Sequence, residues 1–144
     1  MNKNYPKKYR NTYVLTLANS DYRYYIGHTT KSKEAIFKER INGGRVLTRD
    51  CKLLEIIEWI PNGLITEQEG HAISYLKIIK YMEVFGLTEV RGGTFFCEVD
   101  TKKHIDRVIL SSNNDKRGLY NSIKQQLEKY SQYQDFKKRN FDSN

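Results

Sequence analysis

Two β-prone stretches near the start of the chain, Thr12-Tyr13-Val14-Leu15 and Tyr24-Tyr25-Ile26-Gly27-His28-Thr29, are joined through Asn19-Ser20-Asp21. Aromatic and β-branched residues suit a pleated, half-buried surface, and Asn, Ser and Asp favour tight turns, so the spacing predicts a hairpin. That hairpin stacks two tyrosines beside a glycine. Whatever follows must pack around an early antiparallel pair.

Downstream, Glu34 to Asn42 places Ile36, Phe37, Arg40 and Ile41 on one helical face, and Gly43-Gly44 ends it. Residues 52–60 are rich in β-branched and aromatic side chains and read as the third strand, followed by a Pro61-Asn62-Gly63 turn. Thr66-Glu67-Gln68-Glu69 has the form of a capping box opening a long helix to about Phe85, with Ala72, Ile73, Leu76, Ile79 and Met82 as its core stripe. Gly86 ends that helix, Gly92-Gly93 breaks the chain, and Thr94 to Val99 reads as a short strand or extended segment. Lys102 to Leu110 and Leu119 to Phe136 read as helices, separated by Ser111-Ser112-Asn113-Asn114. The sum is an α+β fold: a small antiparallel three-stranded sheet flanked by helices, with a helical C-terminal extension.

At 144 residues and 17.0 kDa the chain has the length of one domain. No run approaches the roughly 18 apolar residues of a membrane span, and Met1 to Pro6 lacks the apolar stretch of a secretory signal, so a soluble intracellular protein is expected. Cys51 and Cys97 are too few for a disulfide framework and have no Cys or His at zinc-ligand spacing. His28, His71 and His104 each stand alone in sequence and read as no metal cluster.

The net charge of +8 is unevenly distributed: +4 over residues 1–10, −1 over 11–100 and +5 over 101–144. A near-neutral body between basic segments suits a partner with a phosphate backbone, because each cation that neutralises a phosphate releases condensed counterions. The same charge also fits a merely soluble basic protein.

The hairpin resembles the signature of the GIY-YIG nuclease superfamily. Tyr13 matches the tyrosine of its first triplet, and Tyr25-Ile26-Gly27 matches the second. Thr12 stands near where the family prefers glycine. A second stretch, Lys80 to Gly93 (KYMEVFGLTEVRGG), resembles a segment of compact GIY-YIG domains from large DNA viruses and phages. The two matches cover roughly residues 12 to 97, which implies a basic arm over 1–10, a GIY-YIG-like domain over 11–99 and a basic helical extension over 100–144.

The resemblance implies an endonuclease that hydrolyses DNA phosphodiester bonds with one divalent ion, Mg2+ or Mn2+. Tyr13 and Tyr25 would position or deprotonate water and hold the phosphate. An ordinary phenol titrates near 10, so this role needs a nearby cation. The family arginine on the first helix has no counterpart, since its window holds Ala35 and Ile36. Arg40 occupies the slot where the family has a histidine, one turn beyond Ile36, and is the substitute guanidinium or else a solvated surface residue.

For the metal carboxylate, Glu69 is the match by its apolar neighbours, while counting back from Tyr81-Met82 puts Ser74 there instead. Lys31, Lys33, Arg45, Arg91, Lys124, Lys137, Lys138 and Arg139 are candidates for nucleic-acid contact. Arg91-Gly92-Gly93 equally suits a structural turn, and the C-terminal lysines, interleaved with Tyr120, Tyr130 and Tyr133, equally suit the wet face of a helix. Should catalysis be lost, the same fold implies a protein that binds nucleic acid or inhibits a partner protein.

Overall fold

In the structure, a computed structural model, the described residues are 5–18, 22–41, 52–93, 96, 100–114, 118, 120–121 and 123–129. The hairpin forms as β1 (Lys7–Ala18) and β2 (Tyr24–Thr29), paired antiparallel with Tyr13 opposite Gly27 and Leu15 opposite Tyr25. The basic segment from Lys7 to Arg10 is therefore part of a strand rather than an arm. Helix α1 (Lys33–Ile41) follows, then β3 (Lys52–Thr66), α2 (Glu67–Phe85), a 3-10 turn (Leu87–Glu89), β4 (Val90–Gly92) and α3 (Thr101–Asn113). Residues 123–129 are also helical. The turn residues Asn19-Ser20-Asp21, the pair Gly43-Gly44, and Cys51 and Cys97 lie outside the described residues.

The sheet has four strands in the order β3-β1-β2-β4 and is mixed, not three-stranded and antiparallel. Its fourth strand is parallel to β2 and lies at Val90–Gly92, ahead of the 94–99 stretch predicted to be extended. Of that stretch only Phe96 is described, and it makes an isolated bridge to Gly92. Gly92 is required there because a Cβ would lie 2.2 Å from the Ile26 carbonyl oxygen.

Pro61-Asn62-Gly63 does not turn the chain. It lies inside β3, where the register with β1 shifts by one residue between Tyr9/Leu64 and Asn11/Pro61. β3 is an edge strand, so proline's missing N–H costs no sheet hydrogen bond on the outer side, and Gly63 at φ 78° takes the bulge conformation. The register shifts twice more along the same pair, at Val14/Leu15 and Thr16/Leu17.

Strand alternation divides the side chains between two faces. Val14, Tyr24 and Ile26 pack with Ile78, Ile79 and Met82 of α2 and Ile105 and Val108 of α3. Tyr13, Leu15, Leu17, Tyr22 and Tyr25 pack with Ile36 of α1, against Ile56 and Trp59. The α2 stripe differs from the predicted one: Gly70, Ser74, Ile78, Ile79 and Met82 are buried, whereas Ala72, Ile73 and Leu76 are exposed. The small residues let the start of α2 approach the sheet closely. A Cβ on Gly70 would lie 2.7 Å from His28 Nδ1.

Within α3, His104 is fully buried and its Nε2–H donates to the Leu87 carbonyl at 2.8 Å, while Nδ1 has no partner. Burial first, then the nearby Arg91 charge, lowers its pKa from 6.5 to about 4. The unfolded chain therefore takes up this proton before the folded one. Stability should be full above pH 6.5 and fall by about 3 kcal/mol as pH drops toward 4, read from urea midpoints across that window.

Gly27 carries a second prediction. A Cβ there would meet Tyr13 Oη at 2.6 Å and Cζ at 2.8 Å. Gly27→Ala should cost about 1–3 kcal/mol in chemical denaturation, and most of that penalty should vanish in a Tyr13→Ala background.

Candidate functional site

The entry to α2 assembles a polar cluster. β3 runs out at Thr66, opposite Lys7, and Thr66 caps the helix: its hydroxyl accepts the Glu69 N–H at 3.1 Å, and the Glu69 carboxylate accepts the Thr66 N–H at 3.1 Å. The first turn so fixed presents Glu67, Gly70 and His71 to the end of β2. On the same face, Arg10 and Thr12 of β1 lie beside His28, the alternate neighbour of Ile26.

His28 Nε2 and His71 Nδ1 are 3.1 Å apart with ring planes at 89°, and His71 Nε2 is 3.4 Å from Glu67 Oε1. The carboxylate accepts from His71 Nε2–H, which leaves His71 Nδ1 as the acceptor for His28 Nε2–H. This assignment leaves His28 Nδ1 as a bare lone pair, and that atom is buried without a partner. Burial, then His71 and Arg10, lowers the His28 pKa, with Glu67 opposing. The cluster is thus a carboxylate–imidazole–imidazole relay held neutral at its inner end.

His71 borders two cavities. One of about 430 Å³ is lined by Tyr5, Lys8, Arg10 and Glu67 among others, and one of about 300 Å³ by Tyr75, Gly92, Gly93 and Phe96 among others.

Glu69, expected to act with the phenols, does not lie beside them. Tyr13 and Tyr25 lie diagonally on the sheet face opposite α2, 3% and 5% exposed. Tyr13 stacks on Trp59 at 6.2 Å between ring centroids. Glu69 is exposed at the start of α2, and Lys7, which faces Thr66, is six strand positions from Tyr13, roughly 20 Å at the rise of an extended chain. Arg40 belongs to α1, whose Ile36 packs with the phenols; its side chain lies outside the described residues. Ser74, the other slot for the metal carboxylate, is buried on the α2 face with an unpartnered hydroxyl.

One oxygen of the Glu69 carboxylate accepts the Thr66 N–H, which foremost lowers its pKa, and Lys7 is the charged group acting on it. Among the described residues no group of three or more His, Cys, Asp or Glu is arranged to hold a metal ion.

Arg91 is 0% exposed and donates to the carbonyls of Thr88 and Val90 at 2.9 and 3.1 Å, with its guanidinium 4.9 Å from the Tyr22 ring. It is a structural residue of the β4 edge, not a surface contact for nucleic acid. Lys31, Lys33 and Lys124 are exposed, Lys31 in an ion pair with Glu39 at 2.8 Å. Tyr120, expected among the basic C-terminal residues, is buried with its hydroxyl against that of Tyr75. Arg45, Lys137, Lys138, Arg139, Tyr130 and Tyr133 lie outside the described residues.

His28, His71 and Arg10 are the polar residues that sequence reasoning passed over. His28 and His71 are 43 positions apart. The one local signal was the i, i+4 spacing of Glu67 and His71 on a capped helix. Comparison with protein-family models, curated proteins and solved structures finds no significant match for this chain.

The relay can be checked by NMR titration of the ring nitrogens. His28 should stay neutral below pH 6.5, and His71→Ala should raise its midpoint, because the variant both hydrates His28 and removes the neighbouring imidazole.

Proposed function

We propose that the chain is a GIY-YIG-like domain that binds the phosphate backbone of nucleic acid without cutting it. The observation that carries this reading is the separation of Glu69 from the two phenols. The two phenols are closed into the core of one sheet face, and the only acidic residue matched to the metal role caps a helix on the other. Hydrolysis requires an activated water, a cation at the non-bridging oxygens and stabilisation of the leaving oxygen around one phosphorus atom. A phosphate on this surface would find almost no phenol to touch.

Binding needs less. The net charge of +8, the exposed Lys7, Lys8, Lys31, Lys33 and Lys124, and the exposed aromatic rings of Tyr5 and Tyr9 supply cations and stacking surface.

Hydrolysis of DNA with Mg2+ or Mn2+ is the second reading. One observation favours it: Tyr13 and Tyr25 lie on the same face of adjacent strands, with Gly27 directly beneath the Tyr13 ring, so the two triplets matched in sequence meet in register.

Fluorescence anisotropy with labelled single-stranded and duplex DNA separates the two. Binding should weaken with salt at a slope of about −0.7 to −0.9 in log K per phosphate contacted, with no product formed in Mg2+ or Mn2+. Cleavage that requires the metal and is lost in Glu69→Gln, a variant that keeps the capping geometry, would overturn the binding reading in favour of the nuclease. Absence of any binding at low salt would reject both.

A further inference from the structure

We propose that Arg10, Lys8 and His71 form a receptor for one phosphoryl group of a nucleic-acid strand, with Tyr5 at its rim to stack the adjoining base. The inference rests on the nucleic-acid-binding reading above and names its site.

Arg10 is the anchor. It is 9% exposed, and its Nε–H donates to the Ile65 carbonyl at 3.2 Å. That bond fixes the plane of the guanidinium but uses one of its five N–H groups. The remaining Nη donors have no acceptor among the described residues, and neither Nη atom is among the buried atoms that lack a partner. The fork therefore opens into the 430 Å³ cavity that Arg10 lines. A nearly buried guanidinium with a free fork is held at the right depth for bidentate contact with a planar or tetrahedral oxyanion.

The walls agree with that ligand. Lys8 lies two positions earlier on β1, on the same face of the strand, and His71 of α2 also lines the cavity. Glu67 also lines it and opposes an anion, but its side chain is 71% exposed and turned to His71 Nε2. An incoming phosphate oxygen can take over the His71 Nε2–H while the carboxylate swings to water. The dipole at the start of α2 is answered by Glu67 and Glu69 and adds little.

Volume and rim point to a strand rather than a free anion. About 430 Å³ holds far more than one phosphate, and Tyr5, 53% exposed, offers a ring face for a base. The guanidinium comes from β1, on the face that α2 covers.

The test uses the full chain and two probes, inorganic phosphate and a short single-stranded oligonucleotide, followed through the Arg10 Nε–H and His71 ring-nitrogen resonances. Both signals should shift and saturate with either probe, at an oligonucleotide concentration about tenfold or more below that of phosphate. Arg10→Lys, which keeps the charge and loses the fork, should weaken oligonucleotide binding about tenfold, whereas Tyr5→Ala should weaken the oligonucleotide and leave phosphate unchanged.

Oligonucleotide binding that leaves Arg10 and His71 unmoved in the wild type would overturn the site while preserving the binding reading. Saturation by phosphate with no oligonucleotide binding would overturn both the strand as ligand and the reading beneath it. Because these readouts come from the wild-type protein, misfolding of the Arg10 variant cannot decide the matter.

Discussion

The contact on which the remaining architecture depends is the Tyr13 ring lying over Gly27, its register partner on the neighbouring strand. Only a residue without a Cβ leaves room for that ring, and a slip of one position would transfer every side chain of the hairpin to the opposite face. With the register held there, Tyr13, Leu15 and Tyr25 face α1, while Val14, Ile26 and His28 face α2. The glycine of the second triplet thus has a packing reason in this chain. The same contact that makes the motif recognisable also closes the Tyr13 phenol against solvent.

The second determinant is how α2 meets the sheet. Its capping box starts the helix one residue after β3 ends, and Gly70 and Ser74 form the approaching face at the start of the helix. A bulkier stripe there would hold the helix away from Arg10 and His28. The close approach brings His71 within hydrogen-bonding distance of His28 and creates the paired imidazoles. Farther along, Glu58 of β3 accepts from Lys77 at 2.7 Å and from the Tyr81 hydroxyl, tying the middle of α2 to the edge strand. Burial, then the contact with Glu58, raises the Tyr81 phenol well above its usual range.

Features written in consecutive residues were legible. The hairpin and the Thr66–Glu69 capping box follow from local spacing and occur where it puts them, whereas the helix predicted over Lys102 to Leu110 runs from Thr101 to Asn113 and takes in Ser111, Ser112 and Asn113, which read as a polar connection. Pro61-Asn62-Gly63 has the composition of a turn, yet an edge strand accommodates it as a bulge because nothing pairs beyond it. The Ala72-Ile73-Leu76 stripe is apolar, but Gly70, Ser74, Ile78, Ile79 and Met82 take the sheet-facing positions, so those residues face outward. Arg91 suited a nucleic-acid contact or a structural turn equally. The parallel pairing of β4 with β2 turns it inward, where the carbonyls of Thr88 and Val90 receive its donors.

By itself, the amino-acid order determined the early hairpin, the helix start at Thr66 and the excess of positive charge. All of these rest on interactions spanning a few residues or on composition alone. Tertiary structure alone decided which sheet face receives the phenols, that Glu69 is held away from them, and that Arg10, His28 and His71 share one cluster. Those outcomes depend on strand register and on how closely a helix approaches the sheet, and both are set by packing between residues dozens of positions apart, which no local pattern encodes.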